Sequence, residues 1–181
     1  MSRVRDNDLL DAIQAISPVE FSGPTWRVVR DGRDPLVASR AGGRWDDGTF
    51  DVLYTSEMRK GAIAETRFYI MKGQPVAPSK PSYRLFELRC TLSSALKLLD
   101  LSALQALGVN TSRFGAACYT QRRTEYTRTQ EVGEAAFFLG FDGLVVPNAR
   151  YTCLNVVLFD RAIDPNAKVE VKDHGVIDVS L

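Results

Sequence analysis

Apolar positions change period several times along the chain. Leu9, Leu10, Ile13 and Ile16 recur at helical spacing and predict a short amphipathic helix over residues 8–16, closed by Pro18. A Gly23-Pro24 turn then precedes a predicted strand over 25–29. Residues 31–47 are polar and glycine-bearing, which predicts a long loop, and a loop of that length is often functional. A short apolar run predicts a buried strand over 51–55, and a helix over 57–71 follows, ended by Gly73 and Pro75. Phe86, Leu88 and Cys90 alternate onto one face of a strand over 83–91. A further strand is expected over 97–101, then a short helix to Leu107. Residues 126–139 predict a helix running into Gly140. Short apolar strands at 144–146 and 155–159 flank a Pro147 loop, and the valine-rich tail, 168–180, suits edge strands. Helices set irregularly among strands fit a mixed α+β domain better than regular βαβ winding.

The length, 181 residues, suits one domain spanning 1–181, and 45% hydrophobic residues can fill a core. A formal net charge of +1 offers no electrostatic footprint for nucleic acid. Cys90, Cys118 and Cys153 are too far apart for a CxxC metal pattern; with the single His174 they make a zinc site improbable, and their odd number suits a reducing compartment. The first ten residues mix arginines and aspartates with no apolar run, and no stretch approaches the roughly 20 apolar residues needed to span a bilayer. A cytoplasmic protein is expected.

Glu65 interrupts an apolar stripe. Gly61, Ala62, Phe68 and Tyr69 sit three or four residues from it on the same helix face. A carboxylate facing a core is costly unless it is paired or hydrogen-bonded. Two readings follow: a structural ion pair with an arginine, or a functional acid. Arginines are at hand. Arg27 lies on a strand between Trp26 and Val28, and Arg44 lies in Gly42-Gly43-Arg44-Trp45. A guanidinium fork grips phosphate bidentately and an adjacent aromatic can stack on a flat ring, so this turn suits a nucleotide, although an arginine packed on Trp45 for stability fits equally. Tyr54 and Asn155 taken alone read as a core residue and a strand-end hydrogen bonder, and His174 as a surface residue. No GxGxxG, GxxxxGK[ST] or GxSxG motif is present, which argues against a Rossmann cofactor site, a P-loop and a serine-hydrolase elbow.

Taken in order, these residues resemble the RES-domain family of bacterial toxins. The matching blocks are Gly42-Gly43-Arg44-Trp45-Asp46, then Val52-Leu53-Tyr54-Thr55-Ser56, then Ala62-Ile63-Ala64-Glu65. Gln130-Glu131-Val132-Gly133 is similar to the family's glutamine-x-x-glycine helix, Leu144-Val145-Val146-Pro147 to its strand-to-proline step, and Asn155 to a late asparagine. The motif-bearing core is about 24–160. Carried over, the family's arginine falls on Arg27, with Arg44 as a second basic group, and its glutamate on Glu65. The serine position holds Thr127. Asn148 and Val28 also depart, from a serine and an aromatic respectively.

The resemblance implies a fold like the ADP-ribosyltransferase toxins, NAD⁺ as substrate with no metal, and a cognate antitoxin with a helix-turn-helix DNA-binding part. The implied activity is cleavage of the nicotinamide–ribose bond by hydrolysis or phosphorolysis. The alternative is ADP-ribosylation of a protein target, and a non-catalytic binding module is a further one. Breaking that bond builds positive charge on the ribose, as in glycoside hydrolysis. In this reading Glu65 stabilises the cation, Arg27 and Arg44 hold the pyrophosphate, Trp45 or Tyr54 stacks on nicotinamide, Thr127 orients the acceptor, and Gln130 and Asn155 complete the NAD⁺ site.

Overall fold

A computed structural model describes residues 5–72, 82–116, 122–163 and 169–179. In chain order the elements are α1 (Asn7–Gln14), β1 (Val19–Arg30), β2 (Val52–Ser56), α2 (Arg59–Lys72), β3 (Tyr83–Lys97), α3 (Leu101–Ala106), α4 (Arg122–Phe138), β4 (Gly143–Pro147), β5 (Leu154–Phe159) and β6 (Glu170–Ile177). The strands form one mixed sheet in the order β1-β2-β5-β4-β3-β6, flanked by the helices. The chain is therefore α+β, as expected. Among the described residues, β3 and β4 are the one parallel pair.

The long strand β3 organises the sheet. β1 pairs with it from Val19↔Ala95 to Arg30↔Tyr83, while β4 pairs at Ala95–Lys97 and β6 at Tyr83–Arg89. Because β1 also touches β2, the pairings close a ring β1-β2-β5-β4-β3. That closure is narrow: β1 and β2 share the single register pair Trp26↔Ser56.

Two apolar clusters fill the interior. One packs α1 and α4 on the sheet through Ile13, Trp45, Val132, Ala136, Leu144 and Phe159. The other gathers Leu53, Leu88, Leu92 and Leu158 from the strands. Asp6 caps α1 by accepting the Leu9 N–H, and Arg128 of α4 donates to Asp6 at 2.8 Å, so the first helix is tied to the fourth by charge as well as by its apolar face.

Several local expectations are corrected. Gly23-Pro24 is no turn: both lie inside β1, paired opposite Cys90 and Arg89. Proline is tolerated because the other edge of β1 meets a neighbour only at Trp26, so most of that edge carries no ladder to interrupt. The strand expected at 97–101 is the end of β3 instead; Asp100 then caps α3 by accepting the Ala103 N–H. The loop over 31–47 carries one β-bridge, Ser39↔Val52. The tail contributes β6 at the sheet edge, where His174 is half-buried, 3.0 Å from Glu87 and against the Trp26 ring, rather than at the surface. Gly73, Pro75 and Cys118 lie outside the described residues. Among the described residues no helix is long and apolar enough to cross a membrane.

Candidate active site

The loop before β2 is a rigid frame built around Asp46. This carboxylate is 1% exposed, and it accepts the N–H groups of Gly42 at 3.0 Å and Gly43 at 2.7 Å, together with the Tyr54 O–H at 2.7 Å. Tyr54 Oη in turn accepts the Trp45 N–H at 2.9 Å. Burial and the adjacent Asp46 charge hold the Tyr54 hydroxyl well above its usual pKa, so it stays a donor. Gly43 is required by this geometry: a Cβ there would lie 2.5 Å from Tyr54 Oη and 2.8 Å from Asp46 Oδ2. Helix α4 clamps the frame from outside. Gln130 Nε2 donates to Gly43 O at 2.8 Å, and Gly133 lets the helix backbone press against Trp45. The glutamine-x-x-glycine spacing thus has a mechanical reason: one residue grips the turn and the other leaves it room.

Behind this frame opens a cavity of about 340 Å³, within the range of small-molecule sites. Its wall includes Arg27, Arg44, Tyr54, Glu65, Tyr126 and Asn155. Glu65 is half-buried on the inner face of α2, so the apolar stripe around it borders a cavity rather than a packed core. Burial raises its pKa; the charges of Arg150 and Arg44, the Asn155 side chain and the Ala149 backbone oppose that rise without cancelling it. Asn155 Nδ2 points at Glu65 Oε1 from 3.4 Å, a long hydrogen bond.

The two arginines are held differently. Arg27 donates from Nη1 to Tyr54 O at 3.1 Å and from Nη2 to Val37 O at 3.2 Å, joining β1 to β2 and to the long loop. Its Nε is buried and has no hydrogen-bond partner among the described residues. Burial draws the guanidinium pKa down to about 10, with nearby Asp34 pulling the other way. An arginine desolvated to this degree is poised to gain from an anion. Arg44, 7% exposed, forms an ion pair with Glu125 and lies between the rings of Phe114 and Tyr126, at 4.5 and 4.6 Å. Its charge lies at the wall, with Nη1 engaged by Glu125.

The structure therefore brings together Arg27, Arg44, Tyr54, Glu65 and Asn155. Trp45 borders the cavity too, but it is 1% exposed and belongs to the core, so its ring is no open stacking face. Trp26, half-buried, reaches the wall instead. Gln130 acts on the turn rather than the cavity, and Thr127 is exposed on α4, next to the wall residue Tyr126 but outside the lining. Sequence reasoning did not single out Tyr69, Tyr126, Glu125 or Arg150. The first two blend into helical patterns, Glu125 lies 81 residues from its partner, and Arg150 stands in a loop with no motif of its own.

The chain is similar to known proteins over most of its length. The chain is 27% identical over 172 residues to the NAD(+) phosphorylase MbcT of Mycobacterium tuberculosis (strain ATCC 25618 / H37Rv), covering 91% of this chain and 88% of that protein. It matches MbcT of Mycobacterium bovis (strain ATCC BAA-935 / AF2122/97) to the same extent. The crystal structure of the M. tuberculosis MbcT–MbcA toxin–antitoxin complex contains a chain of the same fold, with a TM-score of 0.74 at 23% identity over 93% of this chain and 92% of that one. The family model for the RES domain matches residues 24–180, from the middle of β1 through β6. With the match running over nearly all of the sheet and every wall of the cavity, the chain belongs to the RES domain family.

Proposed function

We propose that this chain is an NAD⁺-degrading toxin that breaks the nicotinamide–ribose bond, with inorganic phosphate as the preferred acceptor. The observation that carries the reading is Glu65. It is a half-buried carboxylate on a cavity wall, with one amide donor and two cationic side chains acting on it, in a RES-family chain similar to an NAD(+) phosphorylase.

In the mechanism, the C1′–N1 bond breaks and its electron pair leaves with neutral nicotinamide. A phosphate oxygen forms the new bond at C1′, giving ADP-ribose 1-phosphate; with water as acceptor the product is ADP-ribose and a proton goes to solvent. Charge at C1′ is positive at the summit of the barrier. A carboxylate beside the ribose stabilises that charge more than it stabilises ground-state NAD⁺, which is the condition for catalysis. Arg27, with a buried Nε left over, and Arg44 hold the pyrophosphate side through their charge. Tyr54 shapes the wall, Asn155 orients Glu65, and Gln130 keeps the glycine turn in place. Thr127 is exposed beside Tyr126 and outside the cavity lining, so an acceptor role for its hydroxyl lies on the solvent side rather than at C1′. The partner is a cognate antitoxin covering the cavity mouth, and its helix-turn-helix part is inferred from the family resemblance.

The test is NAD⁺ loss by purified protein with and without inorganic phosphate, with products identified by mass. Phosphate-dependent loss to ADP-ribose 1-phosphate is the expected result. Loss to ADP-ribose unaffected by phosphate makes it a hydrolase. Transfer of ADP-ribose to a protein in lysate, with no loss in buffer, overturns the reading. In cells, expression is expected to stop growth and Glu65→Gln to restore it while the protein remains folded.

A further inference from the structure

Three buried polar side chains meet behind Glu65: Asn148 and Asn155, each 8% exposed, and Ser56, 2% exposed. Their hydrogen bonds have a direction. Asn148 Nδ2 donates to Asn155 Oδ1 at 2.8 Å and to Ser56 Oγ at 3.1 Å, and the Ser56 O–H donates to Asn155 Oδ1 at 2.7 Å. With two donors on its oxygen, the Asn155 amide fits only one way round, and its Nδ2 is the end that faces Glu65.

The other end of Asn148 is also in use. Its Oδ1 accepts the N–H groups of Arg150 at 2.7 Å and Tyr151 at 3.0 Å, closing the turn between β4 and β5. That turn carries Arg150, whose guanidinium lies 3.2 Å from the centre of the Phe68 ring and whose charge acts on Glu65. A turn cap needs only the oxygen, which aspartate or serine also supplies. The donor end has no part in the turn and is aimed at the carboxamide that touches the carboxylate.

We propose that Asn148 is a positioning residue for Glu65, holding Asn155 donor-first and Arg150 alongside, so that both partners of the carboxylate are set by one side chain. The inference rests on Glu65 being the catalytic carboxylate. Without Asn148, the Asn155 amide is free to turn its oxygen toward Glu65, and the Arg150 turn loosens. Both changes disfavour the charged form. The groups facing Glu65 are Arg150 and Cys153 from the β4–β5 turn, Arg44 from the glycine turn, Tyr69 from its own helix and Asn155 from β5.

The experiment compares wild type with Asn148→Asp, which keeps the turn acceptor and replaces the donor, and Asn148→Ser, which keeps a short polar cap and adds no charge. The Glu65 carboxyl is titrated by ¹³C NMR, its resonance assigned by its absence in Glu65→Gln. This readout needs no catalysis, so a wild type that leaves NAD⁺ intact counts against the proposed function while the titration still judges Asn148. The expected result is a Glu65 midpoint about one pH unit or more higher in both variants. In the active enzyme the acid limb of kcat should move the same way, with kcat down roughly tenfold at neutral pH and KM for NAD⁺ within about threefold. A midpoint unmoved in both variants overturns the proposal. So does a shift in Asn148→Asp alone, which the added charge explains, or a loss of rate with an unmoved acid limb, which marks a structural role only.

Discussion

Gly133→Ala gives the sharpest test of how α4 and the glycine turn are joined. A Cβ at position 133 would stand 2.0 Å from Trp45 O and 2.9 Å from Trp45 C. Ordinary contact begins near 3.4 Å, so helix or turn must retreat by about 1.4 Å. The obstacle is backbone, and that backbone is fixed by Tyr54, Asp46 and Gln130, so no side-chain rotation relieves it. Alanine in a helix interior stabilises by about 1 kcal/mol relative to glycine. Overpacking in a core costs typically 1–3 kcal/mol and more where backbone must move. The clash wins: with a cost in the upper part of that range, the expected net loss is about 1–2 kcal/mol. For a domain of this size that lowers Tm by roughly 2–8 °C. Thermal unfolding followed by circular dichroism, with urea midpoints as a second measure, reads the effect. NAD⁺ turnover should fall in parallel, because the turn that moves carries Arg44. A Gly133→Ala protein as stable as wild type, or more so, would refute the reasoning, since helix propensity alone predicts a gain.

The same geometry predicts other outcomes. Glu65→Gln should lower kcat roughly 10²–10³-fold, by analogy with lost transition-state donors, and steady-state NAD⁺ assays check it. The same substitution should raise Tm at pH 7. The folded-state pKa of Glu65 is raised, so its carboxylate costs stability once pH passes the unfolded value, and this cost is absent in acid, where both states are protonated. The Tm advantage of Glu65→Gln should therefore vanish below about pH 4. Activity runs the opposite way and fades as pH falls through the raised pKa. Glu125→Ala leaves a buried Arg44 charge without its carboxylate and should cost about 3–5 kcal/mol, whereas replacing both partners with apolar residues should cost less, a comparison a double-mutant cycle measures. Tyr54→Phe removes a hydroxyl that serves both Asp46 and Trp45, and urea unfolding should show a loss of about 1–3 kcal/mol.

Residues that break a local pattern were the legible ones. Glu65 stood out because a carboxylate interrupts an apolar helix face, and Gly42-Gly43-Arg44-Trp45 because paired glycines before a large aromatic mark a turn under demand. The α+β class is visible in the alternating periods. Gly23-Pro24 misleads because turn chemistry is local, whereas strand β1 is held by a partner strand more than 50 residues away. The strand expected at 97–101 fails for a similar reason: pairing with β4 draws β3 out to Lys97, and Asp100 caps the helix α3 immediately after it. Trp45 reads in the sequence as a stacking face beside a fork, yet burial takes its ring into the core and gives the wall to Trp26. Asn148 is visible only as a departure from the family serine, because its value lies in contacts 7 and 92 residues away.

The narrow closure at Trp26↔Ser56 bears on biosynthesis. Ser56 is held by Asn155, 99 residues further on, and beyond its single pair with β1 the strand β2 joins the sheet through β5. A ribosome has delivered Arg27, Arg44 and Glu65 long before Asn155 emerges, and at roughly 5–20 residues per second the interval is several seconds. Over that time the nascent chain has no ring and no cavity. The cavity and its chemistry are therefore acquired late, once β5 has emerged to dock beside β2.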